Sequence, residues 1–449
     1  ECGEVSPLSI FGMNEPTLIQ VQAVRSAIGV CVRNTHTFIR FEGKDVATWL
    51  QSQTSNDVVA LQSGQGHANT ILDRKGRLRA HFTLHRWEDE YWLIIEKQQS
   101  TQLLEQLDAH LFIEDVRMAD AGDEVEQLLL QGPRSLYFLS TLLDTNELTA
   151  SEFLPAERFG CHPIELCGYQ VLAFRISETG EDGYLFVTQQ GEAPPLLHKL
   201  LEAGKPFGIA QVSDDALNVL RIEAGIPRFG IDMDASNRMP ETTLERDAVS
   251  YDKGCYLGQE VIAKLRAYSS VKQALVGLIL ESGVFPQTNS TLRSDGQDIG
   301  VLKSSVFSPT LDRTIALAYF DRDWRTPGTL LELSGRTQPN SNAIEKSFTA
   351  SVVVLPFCAA PAREERARAL YEEALQRFER DEHDQDDTAI ELLREAVLLF
   401  PTFEDAYEAL GVILNRHHRV DEAIHYMQIL ARLNPDSVMA HTNLSVFYV

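Results

Sequence analysis

Lys253-Gly254-Cys255-Tyr256-Leu257-Gly258-Gln259-Glu260 holds a thiol close to two glycines. Glycine lets the backbone turn tightly there and leaves Sγ accessible. Lys253, two residues earlier, favours the thiolate electrostatically, and a helix starting at Gln259 would add the partial charge of its N-terminus. A lone loop cysteine is more often a small packed hydrophobe, so these residues alone give a candidate thiol, not a nucleophile. Thr179-Gly180-Glu181-Asp182-Gly183-Tyr184 sets two carboxylates side by side. Gly-Glu-Asp-Gly is also ordinary β-turn chemistry.

The elements that must position these groups alternate between strand and helix patterns. Val46–Leu50 enters an amphipathic helix, and Ala68–Leu72 and Leu78–His85 flank the turn Asp73-Arg74-Lys75-Gly76-Arg77 as a β-hairpin. Tyr91–Glu96 reads as a strand and Ser100–Leu111 as a helix. Strands follow at Gln127–Gln131, Tyr169–Ile176 and Tyr184–Val187, with helices near Pro195–Ala203 and Ser213–Ala224. Short strands from Ala274 to Leu355, separated by turn residues, predict a small β-barrel, with the polar stretch Arg336–Ser347 as a mobile hairpin loop. The fold class expected is therefore α+β, and no G-x-G-x-x-G supports a nicotinamide or flavin domain.

From Arg363 onward the pattern is helical with a period of 34: Pro401 and Pro435, Ala389 and Ala423, and Leu410 and Leu444 share that offset. Small residues at helix contacts and proline at the repeat end are the tetratricopeptide signature, present here for about two and a half repeats. The acidic run Asp381–Asp387 reads as a solvated loop. The expected organisation is an N-terminal extension over 1–34, a main region over 35–270, a barrel over 271–358 and repeats over 363–449. The sequence begins without Met, so either Met13 is the start or upstream sequence is missing, and it stops at Val449 inside a helical pattern, which suggests truncation.

The chain has 449 residues, 44% hydrophobic and 23% charged, with a formal net charge of -25. That acidity opposes direct binding to a nucleic-acid backbone. No apolar run approaches the roughly 20 residues that span a bilayer. The six cysteines lack C-x-x-C spacing, which points to no metal site and to reduced thiols in a cytoplasmic setting.

The octapeptide resembles the defining motif of the YgfZ-type folate-binding proteins, within the wider family of aminomethyltransferases, the glycine-cleavage T-proteins. Leu220–Pro227 with Gly230-Ile231-Asp232 is similar to the family's helix and following loop. Trp49-Leu50-Gln51, Thr54–Val58 and Asp73–Arg77 match as well, and Ser305–Leu311, Ile315–Tyr319 and Leu355-Pro356-Phe357 resemble the T-protein barrel. The resemblance covers roughly Thr35 to Phe357. It implies aminomethyltransferase-like domains around a central site for tetrahydrofolate or a derivative. Glu181 would hold the pterin, because two carboxylate oxygens accept adjacent N–H groups as a pair. Arg175 and Arg221 would meet the folate's glutamate tail or form structural ion pairs, and Asn56 falls among the matching residues. T-proteins carry an Asp-Asp pair just after the Lys-Gly turn; Ala80-His81 stands there, and Ala80 can relay no proton.

The leading expectation is a folate-binding accessory protein that supports iron–sulfur cluster assembly or repair, and through it tRNA modification. Cys255 would be its functional thiol, iron–sulfur assembly or client proteins its partners, and the repeats a protein-contact surface. One alternative is a folate-dependent aminomethyltransferase; another is an interaction scaffold whose folate pocket no longer acts.

Overall fold

The computed structural model describes residues 15–143, 153–267, 271–281, 284, 286–294, 296–337, 344–379 and 383–448. Two compact units are present, one formed by Glu1–Ser135 with Leu154–Ala359 and the other by Leu136–Phe153 with Ala360–Val449.

The first unit begins with helix α1 (Glu15–Ser26) and strand β1 (Ile28–Val32). Then come β2 (His36–Glu42), α2 (Val46–Gln53), β3 (Gly66–Leu72), β4 (Leu78–Trp87), β5 (Glu90–Glu96), α3 (Lys97–Asp108), β6 (Arg117–Asp120) and β7 (Val125–Gln131). Helix α4 (Ser135–Leu142) falls almost wholly in the second unit. The chain returns with β8 (Cys161–Leu166), β9 (Tyr169–Phe174), β10 (Gly183–Gln189), α5 (Ala193–Ala203), β11 (Ile209–Gln211) and α6 (Asp214–Glu223). Short helix α7 (Glu245–Ala248) and helix α8 (Gln259–Ala267) precede the barrel.

Two sheets carry the site. One has six strands in the order β11-β1-β7-β10-β9-β8, the other five in the order β3-β4-β5-β2-β6. Phe38 and Ile94 of the second sheet pack with Cys31, Leu129, Phe174, Leu185 and Val187 of the first in one core. The other face of the five-stranded sheet buries Ile39, Phe41, Leu84 and Leu93 against Trp49 and Leu50 of α2 and Leu103 and Leu107 of α3. Truncating one such leucine to alanine costs about 2–5 kcal/mol. The expected N-terminal extension is in part structural: α1 buries Val21 and Val24, and β1 lies second in the six-stranded sheet. Ile-Gly-Val-Cys-Val is apolar throughout because both faces of a central strand are covered.

Strands β12 (Gln273–Leu280), β13 (Thr291–Ser294), β14 (Gln297–Ser308), β15 (Arg313–Asp321), β16 (Leu330–Thr337) and β17 (Ile344–Val353) close a barrel in the order β12-β15-β14-β13-β16-β17. Its interior is apolar, with Leu278, Leu302, Ala318, Phe320 and Val352 fully enclosed. The loop expected over Arg336–Ser347 is shorter than read: Arg336 and Thr337 extend β16, and Ile344–Ser347 begin β17. The remainder of that stretch lies outside the described residues.

The second unit contains helices α9 (Arg363–Glu379), α10 (His383–Leu399), α11 (Glu404–Arg416), α12 (Val420–Leu433) and α13 (Val438–Phe447). Buried Ala406, Tyr407, Leu410, Ile413 and Leu414 recur at helical spacing along α11. Gly411 allows close approach, since a Cβ there would lie 2.3 Å from Met427 Cε. Tyr137 of α4 donates its hydroxyl to Glu391 of α10.

Candidate functional site

Strict alternation in β4 sets one wall of the site. Leu78, Ala80, Phe82 and Leu84 are buried, with Ala80, Phe82 and Leu84 in the α2–α3 core, while the intervening His81 and Thr83 line a cavity of about 190 Å³. One water needs roughly 10–15 Å³ of such space, so the cavity has room for a mid-sized organic molecule. Ile94 and Glu96 of β5 and Gln99 of α3 continue this wall. Arg33 and His36 border it near the start of β2, and Ser177 and Glu178 enter from the loop after β9.

Helix α6 supplies the opposite wall through Asp214, Leu217, Asn218 and Arg221. Its N-cap is Ser213, whose Oγ accepts from the Ala216 N–H, and Asp214 and Asp215 suit its positive first turn. Ala216, Val219, Leu220 and Ile222 anchor the helix, fixing the angle at which Leu217 and Asn218 meet the cavity.

Several charges here come in pairs. Arg33 binds Glu178, Arg228 Nε lies 3.0 Å from Glu96, and Arg158 Nη1 lies 2.6 Å from Asp247. Several enclosed polar atoms have no hydrogen-bond partner among the described residues: Arg33 Nε and Nη1, His81 Nε2, and both Gln99 side-chain amide atoms. All of them belong to residues that line the same cavity. A buried donor or acceptor left unmet costs about 1–3 kcal/mol, so these atoms are free to hydrogen-bond water or a polar molecule in the cavity. Burial pushes the His81 imidazole down to about 4, with Asp247 pulling the other way, so it is neutral near pH 7. Burial likewise pulls the Arg33 guanidinium below its usual value while Glu178 holds it up.

The residues singled out from sequence are distributed differently. Arg221 borders the cavity, but its guanidinium is spent on Asn218 (2.9 Å), the Ile226 carbonyl (3.2 Å), Asp232 (2.6 Å) and Ser304 (3.4 Å). Glu181 does not border it: its Oε1 accepts from Arg25 Nη1 at 2.9 Å, and Arg25 also binds Glu223 at 2.7 Å. Glu181, expected to hold the pterin, is thus engaged by Arg25 in this structure, and the carboxylate of this loop that borders the cavity is Glu178. Arg175 is turned toward Asp182 at 3.2 Å. Asn56 ties its loop to the Ala68 and Asp247 carbonyls, 2.9 Å each.

The octapeptide is a separate structure; none of its residues lines the cavity. Lys253 is buried and donates to the Thr54 and Asn56 carbonyls at 2.7 Å each, with Nζ 5.1 Å from the Tyr256 ring centre. Its ammonium is therefore engaged with carbonyls, and burial pulls it down to about 8. Gly254 is exposed and Tyr256 buried, while Gly258 has φ +84° against the Asp73 carbonyl. Gln259 and Glu260 begin α8, and Glu260 pairs with Lys264 at 2.6 Å. Cys255 is exposed at the crest. Among the described residues, no group of three or more His, Cys, Asp or Glu is arranged to hold a metal ion, and no helix is long and apolar enough to cross a membrane.

Residues 11–253 match the model of the GCVT N-terminal domain, and 273–357 match the glycine cleavage T-protein C-terminal barrel domain. The chain belongs to the glycine cleavage T-protein family. A protein named aminomethyltransferase from Caldanaerobacter subterraneus subsp. tengcongensis is 27% identical over 346 residues, covering 74% of this chain and 88% of that protein. One of the same name from Pelodictyon phaeoclathratiforme is 30% identical over 338 residues, covering 74% and 89%. The crystal structure of glycine cleavage system aminomethyltransferase T from Bartonella henselae superposes with a TM-score of 0.64 at 22% identity, over 78% of this chain and 90% of that one; it shows the shared fold. Sequence reasoning missed Arg33, Gln99 and Glu178. The apolar run ending at Val32 was the available signal for Arg33, because a charge directly after a central strand lies near a sheet end.

Proposed function

We propose that the cavity binds tetrahydrofolate or a derivative and that the chain acts in folate-dependent one-carbon transfer of the aminomethyltransferase type. The observation that carries this reading is the set of enclosed, unpartnered polar atoms on Arg33, His81 and Gln99, gathered on one cavity of a T-protein fold. These residues suit a folate, whose ring edge offers carbonyl and N–H groups. A bound folate would supply the amine nitrogens that take up a one-carbon unit. Arg33, Gln99 and Glu178 would orient its polar edge, and Leu217 and Phe229 would cover its apolar face. Neutral His81 can donate or accept one hydrogen bond at Nε2, and Asp247 favours its charged form. The names of the curated relatives support this function over the accessory one.

The exposed Cys255 favours a second reading, in which the folate-bound chain is an accessory protein of the YgfZ type in the cytoplasm. It would support assembly or repair of iron–sulfur clusters on partner or client proteins, and so tRNA modification. In either reading the helices from Arg363 act as tetratricopeptide-type repeats that contact a protein. The scaffold alternative keeps that contact and gives the cavity no ligand.

Three measurements separate these functions. Calorimetric titration with tetrahydrofolate should show binding; none would leave only the scaffold. Aminomethylated lipoyl carrier protein with tetrahydrofolate should yield methylene-tetrahydrofolate; no product despite binding would overturn the transferase. Iron–sulfur enzyme activities restored by wild type but not by Cys255→Ala in deficient cells would then establish the accessory role, and equal rescue would remove it.

A further inference from the structure

Within the second unit, helices α9 and α11 run in the same direction with a groove between them. At one end the Tyr371 ring lies 5.1 Å from that of Phe403, the residue before α11. At the other, the guanidinium of Arg416, the last residue of α11, sits 4.9 Å from the centre of the Phe378 ring. The groove has a volume of about 250 Å³; Tyr371, Leu375 and Phe378 line it from α9, and Asp405, Glu408 and Val412 from α11. Spacings of i, i+4, i+7 and i, i+3, i+7 put each set on one helix face. Val412 on this face keeps 39% of its surface exposed. The two carboxylates have no cation: among the described residues neither Asp405 nor Glu408 has an ion pair or a side-chain hydrogen bond. The arginines beside the groove are committed, Arg368 to Glu364 at 2.7 Å and Arg416 to the Phe378 face. Burial pushes the Glu408 carboxyl up and the Asp405 charge adds to it, so the pair repels across one helical turn. Burial, Asp405 and Glu408 together push up the Tyr371 phenol, which stands with them at the same end.

We propose that this groove docks a partner protein through a segment that sets a lysine or arginine against Asp405 and Glu408 and an aliphatic side chain on Leu375 and Val412. The assignment rests on the reading that the helices from Arg363 contact a protein, and it adds the face they use and the charge they select. The cation relieves the repulsion between the two carboxylates and lies on the Tyr371 ring, as Arg416 already lies on Phe378. From Tyr371 to Phe378 the helix rises about 10 Å, the reach of about three extended residues, so both side chains come from one short stretch. An acidic segment meets two unpaired carboxylates and is rejected.

The test is selection of random dodecapeptides from a displayed library by the full chain, followed by fluorescence-anisotropy titration of the selected peptides. Wild type is compared with D405N/E408Q and with V412Q. Asp405 is exposed and Glu408 half-buried, so both variants should keep the helical circular dichroism spectrum. The selected peptides should carry Lys or Arg within about three residues of Leu, Ile, Val or Met. D405N/E408Q should bind them about tenfold more weakly and with a shallower salt dependence, while V412Q weakens them at every salt concentration. Selected peptides that lack a cation, or whose affinity D405N/E408Q leaves unchanged, overturn the groove assignment and leave the helices standing as a contact surface. A dimer of the wild type in sedimentation velocity that D405N/E408Q disperses also overturns it, because a second copy would then fill the groove. No selected peptide and no self-association overturn both the groove assignment and the contact reading.

Discussion

Replacing Arg221 with methionine separates a structural guanidinium from a ligand contact. Asp232 is fully enclosed, and its Oδ2 lies 2.6 Å from Arg221 Nη1. Without Arg221 it keeps the Arg228 backbone N–H at 2.9 Å and the Ser304 hydroxyl at 2.5 Å, but loses its compensating charge. Breaking a buried pair from one side costs about 3–5 kcal/mol, and the two surviving hydrogen bonds place R221M near the lower end. The first unit should then melt roughly 5–10 °C lower. R221M/D232L, which removes both charges, should recover part of that loss. Urea unfolding followed by tryptophan fluorescence suits the assay, because all four tryptophans lie in the first unit. An R221M midpoint equal to wild type, together with weakened tetrahydrofolate binding, would refute the reasoning and restore Arg221 as a folate contact.

The remaining predictions concern the cavity wall, the octapeptide and the chain's charge. His81 is held below its unfolded value, so its contribution to stability is present above about pH 6.5 and is lost as pH falls toward about 4. H81Q should therefore lose less stability than wild type between pH 7 and pH 4.5, by at most about 3 kcal/mol in urea titrations; parallel slopes would show that His81 titrates normally. Gly258→Ala meets both a positive φ of 84° and the Asp73 carbonyl, 2.5 Å from the added Cβ, and should cost about 1–3 kcal/mol; an unchanged urea midpoint would exclude the strain. Iodoacetamide on the native protein should label exposed Cys255 well before Cys31 and Cys161, which are buried with thiols pushed up to about 12. Peptide mass mapping reads the order, and simultaneous labelling would contradict it. With a net charge of -25, an anionic folate approaches against repulsion, so added salt should speed association in stopped flow; slowing would reveal a basic entry path.

What could be read from the sequence followed element length and periodicity. The alternation from Leu78 to Leu84 marked β4 as a hairpin strand, because a strand on a half-buried sheet writes its two faces at period two. The six barrel strands were legible for a related reason: short apolar stretches with turns between them can bury their faces only by closing on one another. Ile28–Val32 was harder, since a strand covered on both faces has no alternation to detect. Its loss concealed α1 as well, and with it Arg25, whose ion pair spans 156 residues to reach Glu181.

The same distance effect decides which carboxylate of one loop borders the cavity. Glu178 and Glu181 are three residues apart, and local spacing gives them equal claims. Their cations arrive from opposite ends of a neighbouring segment: Arg25 from the last turn of α1, Arg33 from just beyond β1. Arg25 gives all three guanidinium nitrogens to Glu181, Glu223 and the Thr179 carbonyl, so Glu181 ends in a closed network. Arg33 gives one nitrogen to Glu178 and keeps two unmet, so that pair still has donors to offer. The donor capacity left unused at this loop is thus set by how completely the partner arginine is used, a property carried by segments the loop's own residues do not encode.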